Sequence, residues 1–217
     1  MAKSGTVSSI KEHGGSRSTE TRRLLVDAAI GTLQHEGFVG SSARAIAERA
    51  GVNQGLIFYH FGSVANLLLA ALDAVSDDRL AHFGALVADA GSPSELVGVA
   101  TDIFRTDLDA GYITVLVEMI AGASATPDLG PAVAARIGPW RTFAQTTIEQ
   151  ALDGSPLGSL LPSADAAYAI VALYLGLEML SHLDGNREPA LRLFADARRL
   201  AQLLEAMSGP GGTEVPA

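Results

Sequence analysis

Asn53 and Gln54 stand side by side just before the apolar stretch Leu56-Ile57-Phe58. A side-chain amide presents a donor and an acceptor in one plane, so it can bond a base edge bidentately, adenine most favourably. Gly55 follows them and lets the backbone approach a groove closely. A purely local role competes with this one. An Asn oxygen also caps a helix, and capping alone is enough to explain Asn53.

The elements that must position these amides are legible on either side. Ala43, Ile46, Ala47 and Ala50 recur at three- and four-residue spacing, one apolar stripe on a short helix. Gly51 supplies the left-handed residue on which helices often end, and Val52 tucks inward at the turn. A second short helix then buries Ile57 and Phe61 and leaves Asn53, Gln54, Tyr59 and His60 near its ends. Two short helices joined in this way make a helix-turn-helix, whose second helix enters the DNA major groove. Similar Ala-rich hairpins occur in helical proteins that never touch DNA, so spacing alone leaves both readings open.

From Thr21 to Leu69 the chain resembles the N-terminal domain of the TetR family of transcriptional repressors. Thr21-Arg22-Arg23 begins the first helix, Ala28-Ala29 lies inside it and Gly37-Phe38 closes it. Ser42 with Arg44-Ala45-Ile46-Ala47 opens the second helix, and Ala50-Gly51-Val52 makes the turn. Tyr59-His60-Phe61 ends the recognition helix, and Leu67-Leu68 falls on the fourth. The resemblance covers less than a quarter of the chain. It implies that Tyr59 and His60 contact phosphate and that Ser42 and Arg44 touch the DNA backbone, with Asn53, Gln54 and Gly55 at the bases. Two positions depart from the family pattern: Val64 stands where Lys is usual and Phe58 where Tyr is common. Backbone contacts must then come from elsewhere, or affinity is lower.

Composition narrows the classes. Of 217 residues, 48% are hydrophobic and only 18% charged, which suggests apolar surface covered by a partner or wrapped around a pocket. There is no cysteine, so disulfides and thiolate metal sites are excluded and a reducing, cytoplasmic setting is expected. The N-terminus lacks the apolar core of an export signal. The longest apolar run, Ala166 to Leu177, is read as too short to cross a bilayer, so no membrane partner is expected. The net charge of −9 is unevenly spread. Residues 1–61 carry seven Lys/Arg against five Asp/Glu, a balance of +2, and the remainder carries −11. A weakly basic head can engage phosphate locally while an acidic body repels it.

The whole chain reads all-α: an N-terminal three-helix helix-turn-helix head on a larger helical ligand-binding and dimerisation body. Residues 1–17 are expected to form a disordered tail, 18–62 the DNA-binding domain, 63–208 the body and 209–217 a loose tail. Lys3, Lys11 and Arg17 could brush DNA but suit a solvated tail better. Ser18 or Thr19 is expected to cap the first helix, which should reach Glu36 with Leu25, Ala28, Ala29 and Leu33 inward. Arg22 and Arg23 could reach phosphates or serve as exposed helix charges. Ser63 should cap a long fourth helix to about Val87, which in the family carries the ligand signal by its tilt. Ser92-Pro93-Ser94-Glu95 is a capping box with Pro at the first position. Tyr112 to Ala123 is nearly all apolar and reads as buried, and Gly138-Pro139 should break or kink the helix that follows. After a loop at 154–162, Ser163 should cap a helix through His182. A last helix from Pro189 to Met207 should turn Leu193, Ala197, Leu200 and Leu204 inward.

In the body, Phe104, Leu108, Tyr112, Met119, Trp140, Phe143, Tyr174 and Glu178 are the candidates to line a cavity for an unknown small apolar effector. Aromatics at helical spacing are more often plain core. Glu178 says more, because a carboxylate between Leu177 and Met179 is costly unless it is paired or near water. Ala167, Val171, Leu175, Leu193, Ala197 and Leu200 on the last two helices are the candidate homodimer interface. By resemblance these helices form a four-helix bundle across a two-fold axis. His13, His35, His60, His82 and His182 form no metal-spaced pair, and no phosphate loop or nucleophile elbow is present. No catalytic residue, metal or cofactor is expected. The expected function is that of a ligand-responsive repressor, a homodimer on a palindromic double-stranded DNA operator. The alternative is an all-α binding protein whose helix-turn-helix no longer reads DNA.

Overall fold

The computed structural model describes residues 7–152 and 162–208, with side chains from Arg17 onward. Among the described residues every regular element is a helix: α1 (Val7–Gly40), α2 (Ala43–Ala50), α3 (Gly55–Phe61), α4 (Val64–Ala88), α5 (Pro93–Asp109), α6 (Tyr112–Ala125), α7 (Leu129–Ala151), α8 (Ser163–Asp184) and α9 (Glu188–Ser208). The all-α expectation holds. The chain divides into two compact units. Among the described residues, one reaches to Val75 and takes in Thr114–Ala134, and the other comprises Ser76–Ile113 and those from Ala135 onward.

The first unit is larger than a head ending at residue 62. Leu25, Leu33, Ile46, Ile57 and Leu67, from four helices, are fully buried in one core, and Val115 and Met119 of α6 belong to the same core. Each such side chain contributes roughly 1.5–3 kcal/mol of transfer free energy, an upper value since unfolded chains already hide some surface. Phe38 is fastened to α6 from both sides. Its main-chain N–H donates to Glu118 Oε2 at 2.7 Å. Its ring lies where a Cβ on Gly122 would be, with Cδ2 nearest. Gly122 therefore gives the ring its space.

In the second unit α5 packs along α9. Ser92 caps α5, its Oγ accepting from Glu95 N at 3.3 Å with Pro93 next in line. Glu205 of α9 accepts from the N–H of Ser94 at 2.6 Å and from its hydroxyl at 3.1 Å. A carboxylate thus sits on the orphan donors of α5's first turn, where the helix dipole favours it.

Several expectations need correction. α1 begins at Val7, so Ser18 and Thr19 lie inside it and not at its start. Thr21 Oγ1 bonds the Arg17 carbonyl at 2.9 Å, one turn back. The far end of the first helix is as expected, its helical geometry breaking at Gly37 with φ 71°. α6 is not buried all round: Ile113, Val115 and Met119 are covered, while Ile120 is partly exposed and Glu118 interrupts the apolar run. α7 passes through Pro139 without a break. Ser163 is the first residue of α8 and no cap; its hydroxyl donates instead to Glu149 Oε1 at 2.6 Å. The segment 153–161 and both outer tails, 1–6 and 209–217, lie outside the described residues. On α9, Leu193, Leu200 and Leu204 face outward, because α5 covers the opposite side. Finally, α8 is long and apolar enough to cross a membrane by length and composition, and two bent pairs, α3–α4 and α5–α6, reach that measure only when joined. The apolar run does not end at Glu178, since Met179, Leu180 and Leu183 continue it within one helix.

Candidate functional site

The nucleic-acid face is built by α2 and α3. Ser42 caps α2, its Oγ accepting from Ala45 N at 3.2 Å. Ile46 and Ala47 fix α2 in the core, and Gly51 ends it at φ 68°, ψ 28°, which an L side chain adopts only with strain. Asn53 Oδ1 accepts from Gly55 N at 2.7 Å, so its oxygen is spent on starting α3. Gln54 makes no such cap bond and is exposed. Ile57 and Phe61 point inward, which turns Gly55, Phe58 and Tyr59 outward; Tyr59 is 79% exposed. His60 is half-buried. Arg44 on α2 is exposed and makes no ion pair among the described residues.

The N-terminal arginines are occupied elsewhere. Arg22 Nη1 donates to the His60 carbonyl at 3.2 Å, and its guanidinium lies 4.4 Å from the centre of the Phe61 ring. It thereby holds the C-terminal end of α3. Arg23 pairs with Glu20 at 2.7 Å and Asp27 at 2.9 Å, an exposed ladder along α1. Phe58 lacks the hydroxyl of the Tyr common at this position and is exposed. Its outward position on α3 gives it a chemistry of its own, since an apolar ring can rest on a thymine methyl.

A second constellation lies inside the second unit. Asp107 of α5 is fully buried and takes both Nε of Arg79 (2.8 Å) and Nη2, with the Tyr174 hydroxyl donating to Oδ2 at 2.8 Å. The Arg79 guanidinium faces aromatic rings at 4.6 Å (Trp140), 5.5 Å (Tyr112) and 5.8 Å (Phe83). Phe104 meets Tyr174 edge-on at 6.0 Å. Glu178 is 2% exposed and its Oε1 has no hydrogen-bond partner among the described residues. Its carboxyl is pushed up to about 8, first by burial and then by the charge of Asp107, with Arg79 opposing. Burial and the same carboxylates push the Tyr174 phenol upward, so it stays neutral and donates.

Of the candidate cavity residues, Phe104, Tyr112, Trp140, Tyr174 and Glu178 converge here, and Phe143 joins through Trp140, 6.3 Å between ring centres. Leu108 is half-buried on α5. Met119 lies in the core of the first unit. Arg79 and Asp107 were not singled out from the sequence. The available signal was position: Asp107 comes one turn after the inward Phe104. Among the candidate interface residues, Ala167 is already covered within the chain, Val171 and Leu175 are half-buried, and Leu193, Ala197 and Leu200 are exposed. No group of three or more His, Cys, Asp or Glu suited to a metal occurs among the described residues.

Known proteins resemble this arrangement. The family model for bacterial regulatory proteins of the tetR family matches residues 25–71. An uncharacterized HTH-type transcriptional regulator of Mycobacterium tuberculosis is 32% identical over 108 residues, 49% of this chain and 55% of that protein. The match thus spans about half the length of the curated relative. A putative TetR-family transcriptional regulator from Rhodococcus sp. superposes with a TM-score of 0.70 at 22% identity, over 84% of this chain and 98% of that one. The regulator FadR from Bacillus subtilis, solved in complex with stearoyl-CoA, gives a TM-score of 0.70 at 14% identity, over 82% and 96%. At these identities the structures speak for the fold.

Proposed function

We propose, for a chain that belongs to the TetR family and carries its helix-turn-helix domain, the function of a ligand-responsive transcriptional repressor acting in the cytoplasm as a homodimer on a palindromic operator. The observation that carries this reading is the face of α3. Gln54, Phe58 and Tyr59 project from a helix whose opposite side, Ile57 and Phe61, is locked into the core. Gln54 reads a base edge, with Gly55 allowing close approach and Phe58 meeting a thymine methyl. Ser42, Arg44, Tyr59 and His60 hold phosphates and set the register. Asn53 contributes chiefly by starting the helix.

Dimerisation is supported by an uncovered apolar stripe. Leu173, Leu180 and Leu183 on α8 and Leu193, Leu200, Leu204 and Met207 on α9 are exposed at helical spacing. A second copy of the chain can cover both stripes in a four-helix arrangement. The same cover explains α8 as an interface helix, with Glu178 buried on its other side. Two recognition helices then reach successive major grooves, with half-sites about one turn (~34 Å) apart or a multiple of it.

Ligand response is supported by the buried cluster in the second unit. Arg79 belongs to α4, the helix that begins directly after the helix-turn-helix at Val64. A molecule that competes for Asp107 or Glu178 changes the hold on Arg79 and hence on α4. It acts as an inducer only if it binds the conformation released from DNA more tightly.

Two substitutions test the DNA reading. Gln54→Ala and Tyr59→Ala should abolish operator binding while the helical signal and melting temperature stay intact. Unchanged binding by both would contradict the assignment of α3. Leu200→Glu tests the dimer by sedimentation, with monomers expected and an unchanged species contradicting the interface.

A further inference from the structure

The cluster around Asp107 contains a buried carboxyl oxygen, Glu178 Oε1, with no hydrogen-bond partner among the described residues. Asp107 is served by Arg79 and by the Tyr174 hydroxyl, which satisfies it. Glu178 brings a second carboxyl to the same place, equally enclosed, and Arg79, the cation that faces it among the described residues, is already engaged. A buried acceptor left without a donor costs about 1–3 kcal/mol. Native structures rarely leave such a group unexplained. What Oε1 lacks is a donor, and a donor with a positive charge supplies the missing hydrogen bond and balances the carboxylate that forms when Glu178 gives up its proton.

The surroundings suit a cation on an apolar body. Phe104, Tyr112, Trp140 and Tyr174 are gathered around the polar groups, and aromatic faces attract positive charge, as they already do for Arg79. An anionic ligand meets the Asp107 carboxylate, and Arg79, the cation facing Glu178 among the described residues, is already held by Asp107. Resting on the reading of the second unit as ligand-binding, we infer that this cluster recognises a small apolar molecule carrying one protonated nitrogen, which donates to Glu178 Oε1.

The proton balance follows from the groups that face Glu178: Asp107 of α5, Arg79 of α4 and Tyr174 of α8. Without ligand, Glu178 holds a proton at neutral pH. When the ammonium arrives, the carboxyl ionises against it and its proton leaves for solvent. Binding at pH 7 therefore releases close to one proton per ligand, and affinity rises with pH by up to about tenfold per unit until Glu178 is ionised in the free protein.

The test uses the full chain and matched probes: benzyl-, 2-phenylethyl- and 3-phenylpropylammonium against the corresponding alcohols. Trp140, the single tryptophan, reports binding by fluorescence, and calorimetry in buffers of different ionisation enthalpy counts protons. At least one ammonium should bind tenfold or more tightly than its alcohol, with proton release, and Glu178→Gln should erase both that preference and the proton release while the helical signal is retained. Equal affinities, binding without proton release, a preference that survives in Glu178→Gln, or no binding by any ammonium overturns the inference. DNA binding is measured on the same samples. An operator retained alongside a failed ammonium test leaves the regulator standing and removes only the cation.

Discussion

The carboxylate of Glu118 accepts the main-chain N–H of Phe38 at 2.7 Å, tying the middle of α6 to the residue that closes α1. Phe38's ring fills the space over Gly122 one turn further along α6. The helix-turn-helix therefore does not stand alone: its entry is held by a helix that arises eighty positions later in the chain. Glu118→Ala should lower unfolding free energy by about 1–2 kcal/mol in urea titrations, since it leaves a half-buried donor unmet. Gly122→Ala should cost about 1–3 kcal/mol, because the ring must move. Gly130→Ala, where a Cβ meets nothing within 4 Å, is the control and should be neutral or stabilising. Equal effects at Gly122 and Gly130 would show that the ring contact carries no weight.

Arg22 is expected to act through α3 and not on DNA. Its guanidinium is committed to the His60 carbonyl and the Phe61 ring. Arg22→Ala should weaken DNA binding while leaving the salt dependence unchanged. A direct phosphate contact loses about 0.9 in the slope of log affinity against log salt, which is the outcome expected for Arg44→Ala. A slope change of that size in Arg22→Ala would return Arg22 to the phosphates.

The neighbouring amides should separate cleanly. Asn53→Ala removes a helix-starting bond and should cost about 1 kcal/mol of stability, recovered in Asn53→Asp. Gln54→Ala should leave stability within about 0.5 kcal/mol. It should instead lose about 1–3 kcal/mol of discrimination at one base pair. Chemical denaturation and binding to single-base operator variants measure the two effects.

Glu178 predicts a pH dependence of stability. Its folded value near 8 lies above the ordinary 4.5, so between those limits the folded chain keeps a proton that the unfolded chain has released. Stability from this group is fully present below about 4.5 and is lost as pH rises toward 8, on the order of a few kcal/mol. Glu178→Gln should flatten that part of the profile and be the more stable form above pH 8. A parallel profile for both proteins would contradict a buried, protonated Glu178.

The head was legible because its signals are local. Ser42, Gly51 and the Ile57–Phe61 pair act within a few residues of one another, and each does so in the structure. Ser92-Pro93 is legible for the same reason. The buried cluster was half legible. Glu178 stood out as a charge inside an apolar run, but Arg79 and Asp107 looked like ordinary solvated charges. Their partners lie 28 and 67 positions away, and only tertiary packing joins them. The orientation of α9 was hidden too, because an amphipathic helix does not say whether its own chain or a second copy covers its apolar side. Nothing local marked the extension of α1 to Val7, since Ser18 and Thr19 offered a plausible start that the helix does not use.

The most direct measurement is selection of genomic DNA fragments by the purified protein at two salt concentrations. A recovered palindrome, bound more weakly at the higher salt and lost in Gln54→Ala, is the expected result. The salt slope then counts the phosphates held despite Val64 and Phe58. Recovery of no sequence above background at low salt contradicts DNA reading by α3 and leaves a helical binding protein built around Asp107 and Glu178.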